Sequence, residues 1–69
     1  MAVSQVVWTA KQAEGMGWRS FAEYRRARLD MAEVWAMAAQ LAKCYPDHTF
    51  RVAIGTSKVT VWGQVGAYA

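Results

Sequence analysis

The sequence predicts an α+β fold in which a small antiparallel β-sheet packs, in two layers, on one long amphipathic α-helix. Two observations carry this prediction: a helix-forming stretch over residues 20–45, and strand-like alternation over residues 49–54 and 58–65. A β-branched and aromatic stretch over residues 3–11 adds another strand. The resulting order is β-α-β-β, or ββ-α-ββ if residues 18–24 are extended.

The predicted helix is rich in Ala, Leu, Met, Glu and Arg, which lose little conformational freedom on becoming helical. Ser20 and Glu23 have the S-x-x-E spacing of a capping box, and Pro46 stands where a helix is expected to end. Apolar residues recur at spacings of three and four, so they share one helix face. They are Phe21, Tyr24, Ala27, Met31, Val34, Ala38, Leu41 and Tyr45.

The start of this helix has an alternative. Residues 18–24 can instead be extended, in which case the helix begins at the D-x-x-E box of Asp30 and Glu33. We prefer one uninterrupted helix because the segment FAEYRRAR has high helix propensity, and because its apolar residues keep register with those after Asp30.

The two C-terminal strands are joined by a short hairpin connection at residues 55–57. Phe50, Val52 and Ile54 are predicted to point to one side of the sheet. The face that looks at solvent or a partner carries a mixed basic and aromatic surface, made of Arg51, Lys58, Thr60 and Trp62. Residues 12–17 contain two glycines and no periodicity, which predicts a turn or loop.

The composition indicates one small domain in a reducing compartment. The chain has 69 residues, and Cys44 is its only cysteine, so no disulfide forms within the chain. Its N-terminal residues lack the pattern of a signal peptide, and no apolar run reaches the roughly 20 residues of a membrane span. We therefore expect a cytoplasmic protein without a membrane partner. Its net charge of +3 favours acidic partners.

No residue pattern indicates catalysis, a metal or a cofactor. Cys44, Asp47 and His48 lie close in sequence, but structural zinc takes four ligands and the chain has one Cys and one His. No Gly-rich oxyanion loop accompanies them, and Gly15 and Gly17 do not match a phosphate-binding loop. We expect a protein that is not an enzyme and that holds neither a metal nor a cofactor.

The basic residues are the candidate partner-binding site. Arg25, Arg28 and Lys43 are predicted to form a stripe along the edge of the apolar helix face, which Arg19 extends. Their stems could cover apolar surface while their charged heads stay in water. Alternatively, the stripe meets phosphates or an acidic groove. The complete predicted surface consists of Arg19, Arg25, Arg28, Lys43, Arg51, Lys58 and Trp62.

The opposite face of the predicted helix is expected to be solvated. Arg26 has the helical spacing to pair with Glu23 and Asp30. Leu29 and Met37 lie among these polar residues, where they suggest a two-fold dimer contact that would also relieve a thin core.

The stretch FAEYRRARLDMAEVWAMAAQLAKCYPDHTFRV resembles small α/β proteins of phages and mobile elements, in which an Ala-rich helix ends in a Y-P turn and feeds an F-x-V strand. Several anti-CRISPR proteins are similar in size, charge and layout. The resemblance covers residues 21–62 and transfers no functional residue. It implies a non-enzymatic inhibitor that binds a type I CRISPR-Cas surveillance complex and blocks entry of target DNA.

This resemblance supplies the leading hypothesis, an inhibitor that acts by steric occlusion. Because the chain is basic, unlike the acidic DNA mimics among such inhibitors, it would occupy an acidic subunit surface or touch nucleic acid itself. The alternative is a small basic nucleic-acid-binding module that stacks bases on Trp62 or Trp18. A third hypothesis is a structural protein that associates with itself through Leu29 and Met37.

Overall fold

Residues 3–66 are described by a computed structural model, in which they form four strands and two α-helices. In chain order the elements are β1 (Ser4–Val6), α1 (Ala10–Gly15), β2 (Arg19–Arg25), a 3-10 turn (Arg26–Arg28), α2 (Met31–Cys44), β3 (His48–Ile54) and β4 (Lys58–Val65). The strands form one sheet in the order β1-β3-β4-β2. In this sheet β1 runs parallel to β3, and the other neighbours are antiparallel.

The predicted α+β class is confirmed, since one main helix packs on a small sheet. Both strands of the β3–β4 hairpin lie within one residue of the predicted ranges. The sheet is mixed rather than antiparallel, because β1 enters beside β3 in the parallel sense. Parallel neighbours need a long crossover connection, and β2 with α2 provides it.

The predicted helix over residues 20–45 is wrong over residues 20–30. Residues of that segment form β2, and α2 begins only at Met31, the start that the alternative at Asp30 describes. Asp30 is the N-cap, and its Oδ1 accepts a hydrogen bond from the backbone N–H of Ala32 at 3.0 Å. Pairing with β4 satisfies the backbone of β2 and buries apolar side chains, which outweighs the local helix propensity.

A bulge in β2 sets its register on β4. The register shifts by one residue between Ser20 and Ala22, which makes Phe21 the extra residue. The Phe21 ring lies against Gly63 and meets the Phe50 ring edge to face, with centroids 5.1 Å apart. A Cβ atom on Gly63 would lie 2.6 Å from both rings. The space for this ring pair therefore depends on the glycine.

The predictions of a strand over residues 3–11 and of a loop over residues 12–17 are wrong where α1 lies. β1 ends at Val6, and a capping box starts α1. Thr9 Oγ1 accepts from the backbone N–H of Gln12 at 3.1 Å, and Gln12 Oε1 accepts from the backbone N–H of Thr9 at 2.9 Å. This reciprocal pair satisfies two helix N-terminal donors and starts a helix of six residues.

The C-terminal end of α1 is fixed against β4. Gly17 has a φ of 88°, and the backbone N–H of Trp18 donates to Ala13 O at 3.0 Å, as in a Schellman motif. The side chain of Gln64 in β4 then donates to Met16 O at 2.8 Å. The helix and the loop after it are thus held on the sheet face opposite α2.

Side chains pack on both faces of the sheet. On the α2 face the buried residues are Val34, Ala38, Phe50, Val52, Val59 and Val61. On the other face they are Ala13, Ala53 and Trp62, with Val6, Trp8 and Trp18 packed against them. The prediction of an open basic and aromatic face is therefore wrong at its centre, where Trp62 is 2% exposed and Thr60 is 4% exposed.

We expect Gly63→Ala to lower the free energy of unfolding by about 1–3 kcal/mol, because its methyl group overpacks the Phe21–Phe50 ring pair. Urea unfolding followed by circular dichroism measures the change. Gly15→Ala is the matched control: it lies in α1 with no atom within 4 Å of the added Cβ, so it should be neutral or stabilising. Equal effects at the two glycines would refute the packing argument.

The observed start of α2 gives a second test. Asp30→Ala should lower the free energy of unfolding by about 1 kcal/mol, because it removes the side-chain cap, whereas Asp30→Asn should retain most of the stability. Ser20→Ala, at the start first predicted, should change stability by less than about 0.5 kcal/mol. A larger loss from Ser20→Ala than from Asp30→Ala would contradict this helix boundary.

Candidate functional site

Four cations gather at one corner of the molecule, where β2 ends and the β3–β4 hairpin turns. Arg25 is the last residue of β2, Arg26 and Arg28 lie in the 3-10 turn, and Lys58 is the first residue of β4. All four are exposed. We call this set of four residues the basic corner.

The sheet register places two of these cations side by side. Arg25 and Lys58 are direct partners across the β2–β4 ladder. Residues in such positions have Cβ atoms about 4.5–5.5 Å apart, and like charges there destabilise the sheet. The chain thus keeps two positive charges together at a place where stability alone favours their separation.

Arg26 ties the basic corner to the hairpin. Its backbone N–H donates to Ser57 O at 3.1 Å, and its guanidinium Nη1 donates to Gly55 O at 2.7 Å. A guanidinium has five N–H donors in a fixed fork. The bond to Gly55 therefore orients the group while further donors stay accessible to a ligand.

Acidic side chains offset little of this charge. Glu23 Oε2 is 3.5 Å from Lys58 Nζ, but both side chains are about half exposed (51% and 50%), and such pairs contribute at most about 1 kcal/mol. Asp30 is engaged in capping Ala32. Among residues 3–66, no carboxylate lies within 4 Å of the three arginines of the basic corner. The predicted pairing of Arg26 with Glu23 and Asp30 is therefore wrong.

A groove of about 490 Å³ opens beside the basic corner. It lies between the segment that links β1 to α1 and the β3–β4 hairpin, and Arg26 and Lys58 belong to its lining. Trp8 adds aromatic surface, and hydroxyl side chains such as Ser57 add polar groups. None of the described residues that line it is acidic. The groove is thus partly aromatic and carries only positive charge.

Trp8 is held in place by neighbouring groups. Its ring packs on the ring of Trp18 with centroids 5.0 Å apart and planes inclined at 54°. The guanidinium carbon of Arg51 lies 5.8 Å from the centroid of the Trp18 ring, a cation–π contact. Trp8 is only partly buried, whereas Trp62 is almost fully buried. Trp8 therefore presents a restrained indole to the groove.

The remaining predicted binding residues lie apart from the basic corner. Arg19 begins β2, about 20 Å along the strand from its other end. Lys43 lies in the last turn of α2, about 18 Å along the axis from the start of the helix. Arg51 is partly buried beside Trp18, and Trp62 is buried. The predicted stripe of Arg25, Arg28 and Lys43 does not form.

The two residues of the predicted dimer contact lie in different environments. Leu29 is partly buried and packs against the core on the α2 face. Met37 lies on α2 and is 41% exposed. The two side chains therefore do not lie on one face of the same helix, as the predicted dimer contact required.

The far end of the sheet carries an aromatic cluster, in which neighbouring ring centroids are 5.1–6.4 Å apart. Its members are Phe21, Tyr45, His48 and Phe50. His48 Nδ1 lies 2.8 Å from Asp47 Oδ1. An ionised carboxylate only accepts hydrogen bonds, so Nδ1 carries the proton that is donated to Asp47.

Cys44 is near this cluster but is engaged elsewhere. It is exposed, and its Sγ lies 3.6 Å from the donor Nε2 of Gln40. Across residues 3–66, no three side chains of the His, Cys, Asp or Glu types are grouped so that they could hold a metal ion. The sequence proximity of Cys44, Asp47 and His48 therefore does not become a ligand set.

Comparison with known proteins gives no match: no family model, no curated protein and no solved structure matches the chain. Within the described range of the chain, no helix is long and apolar enough to cross a lipid bilayer. Function is therefore inferred from the side chains of the basic corner and the groove.

The sequence patterns do not assign two residues of this site, Arg26 and Trp8, to a binding surface. Arg26 has acidic partners at helical spacing, and that pattern applies only if the preceding residues are helical. Trp8 reads as part of a strand that continues to residue 11. The T-x-x-Q box of Thr9 and Gln12 is the signal that ends this strand and leaves Trp8 in a loop beside the hairpin.

The hydrogen bond from His48 lowers the pKa of Asp47 below its ordinary value. His48→Phe keeps a ring in the cluster but removes the donor, so the pKa of Asp47 should rise towards its ordinary value. Carboxyl carbon shifts in an NMR titration measure it. A lowered pKa means that ionised Asp47 favours the folded state above pH 4, and that this contribution is lost as the pH falls through the folded pKa. An unchanged pKa of Asp47 would contradict this role of His48.

Proposed function

We propose that this protein is a non-enzymatic binding protein that holds the phosphate backbone of a nucleic acid on its basic corner. The observation that carries the proposal is a group of four exposed cations, two of which stand directly opposite each other in the sheet. Positive charges in register repel each other, and a bound phosphate between them replaces that repulsion by attraction.

The chemistry of the four side chains supports phosphate as the ligand. Arginine offers a planar fork of donors that matches two phosphate oxygens, and lysine adds a mobile point charge. Arg26 is already oriented by its bond to Gly55, so its side chain loses less conformational entropy when it binds a phosphate. Such contacts recognise a backbone and carry no sequence information.

The imidazole of His48 and the thiol of Cys44 lie away from this corner, which supports a binding role. His48 begins β3, and the groove lies at the other end of that strand, about 20 Å away. His48 is bonded to Asp47, and Cys44 lies near the same end.

We further propose that the biological role is the one implied by the resemblance to anti-CRISPR proteins: occlusion of target DNA from a type I CRISPR-Cas complex in the host cytoplasm. Its support is the layout, in which α2 ends at the Tyr45–Pro46 turn and leads into β3. The basic corner would contact nucleic acid in that complex or an acidic subunit surface. Immobilised protein should capture a type I complex, and Arg28→Glu should abolish the capture. Failure to capture would remove this role and leave nucleic-acid binding in place.

The phosphate proposal predicts a steep dependence on salt. With four phosphate contacts, affinity for DNA should fall about 50-fold for a single strand and about 150-fold for a duplex between 50 and 200 mM salt. Fluorescence anisotropy of labelled DNA measures it. Arg28→Glu should weaken binding and reduce the salt slope by about one. Lys43→Glu makes the same change in net charge at the far end of α2, so it should leave the slope unchanged.

Two results would overturn the proposal. One is wild-type protein that fails to bind DNA even at low salt. The other is an equal loss of affinity in Arg28→Glu and Lys43→Glu, which would mean that binding follows net charge and not the basic corner.

A further inference from the structure

We propose that the groove beside the basic corner receives an unpaired base of a single-stranded nucleic acid, while the flanking phosphates lie on the basic corner. This inference rests on the proposed function and adds to it the form of nucleic acid that is bound and the site of the base. It concerns the groove lined by Trp8, Ser57 and Thr60, among others.

The size of the groove suits one nucleotide unit. Its volume of about 490 Å³ lies within the range of small-molecule sites, which is about 300–1,000 Å³. A base inside a duplex is covered on both faces by its neighbours and cannot present its ring to a protein wall. Only an unstacked base can enter, so the groove selects single strands, loops or ends.

Charge makes the groove and the basic corner one continuous surface. Arg26 and Lys58 belong to both, and the described lining contains no carboxylate that would repel a phosphate. A strand whose backbone crosses these two cations therefore passes the mouth of the groove, where one base can turn inward.

The wall of the groove has the parts that bind bases without strict sequence preference. Trp8 is a partly exposed indole whose position is restrained by Trp18, and base–aromatic stacking is a main source of affinity in single-strand binding. Thr56 and Ser57 supply hydroxyls that can donate to or accept from a base edge. An acidic peptide would match the charge, but an indole wall beside paired cations favours stacking above a charged backbone.

The experiment compares two labelled single strands of equal length. One carries normal bases, and the other has an abasic sugar at every position but the same number of phosphates. We expect the normal strand to bind about 5- to 160-fold more tightly at the same salt concentration. Equal affinity for the two strands would overturn the base site while leaving phosphate binding intact. Failure of wild-type protein to bind either strand would overturn the phosphate proposal and this inference together.

A variant that fills the groove tests its location. Thr56 is exposed in the hairpin, so Thr56→Leu should not disturb the core, but its larger aliphatic side chain should fill the groove without offering a ring for stacking. It should bind the normal strand no better than the abasic strand. Ala39→Leu, at an exposed position on α2, is the control and should keep the preference for bases. Retention of the preference in Thr56→Leu would overturn this placement.

The indole N–H signals give a direct readout. The signal that disappears in Trp8→Phe identifies Trp8, and it should shift when the normal strand is added but not when the abasic strand is added. A peptide of alternating Glu and Leu is the competing probe. If that peptide shifts the Trp8 signal and the normal strand does not, the groove belongs to acidic peptides and the inference is overturned.

Discussion

The absence of a Cβ atom at Gly63 is the constraint on which the rest of the structure depends. It leaves room for the Phe21 ring, and β2 accommodates this ring by bulging. An uninterrupted register would turn Glu23 into the apolar α2 face and would move Arg25 away from Lys58. The bulge keeps the carboxylate outside and brings the two cations opposite each other. Packing at one end of β2 thereby determines the charge pattern at its other end.

Sequence analysis predicts correctly the elements whose structure is set by residues close together in the chain. The β3–β4 hairpin follows from alternation, and the end of α2 follows from Pro46. β2 could not be predicted with the same force, because FAEYRRAR favours a helix locally and becomes a strand through pairing with β4, which is more than thirty residues away. The D-x-x-E box at Asp30 was the local signal for the true helix start, and it competed with an equally good box at Ser20.

The candidate site, too, can be predicted from the sequence only in part. Arg25, Arg28 and Lys58 can be named from the sequence, but they are then assigned to two surfaces, one on a helix and one on a sheet. Only the strand pairing unites them and adds Arg26. Trp62 fails as a contact residue because α1 covers it, and a helix of six residues leaves too short a pattern for periodicity to reveal. Whether a face of the sheet is buried depends on how all the helices and strands pack together.

The shortness of β1 has a consequence for how the protein behaves at high concentration. In the described part of the chain, β1 meets β3 through three register pairs, and segments with so few contacts are the first to open in a folded protein. Its departure would turn β3, with Phe50, Val52 and Ile54, into an unpaired edge that can template intermolecular pairing. Arg51, at the centre of that strand, places a charge where such pairing would begin, and charged residues on edge strands oppose aggregation. β1 and Arg51 together therefore protect the β3 edge of the sheet from pairing with a strand of another molecule.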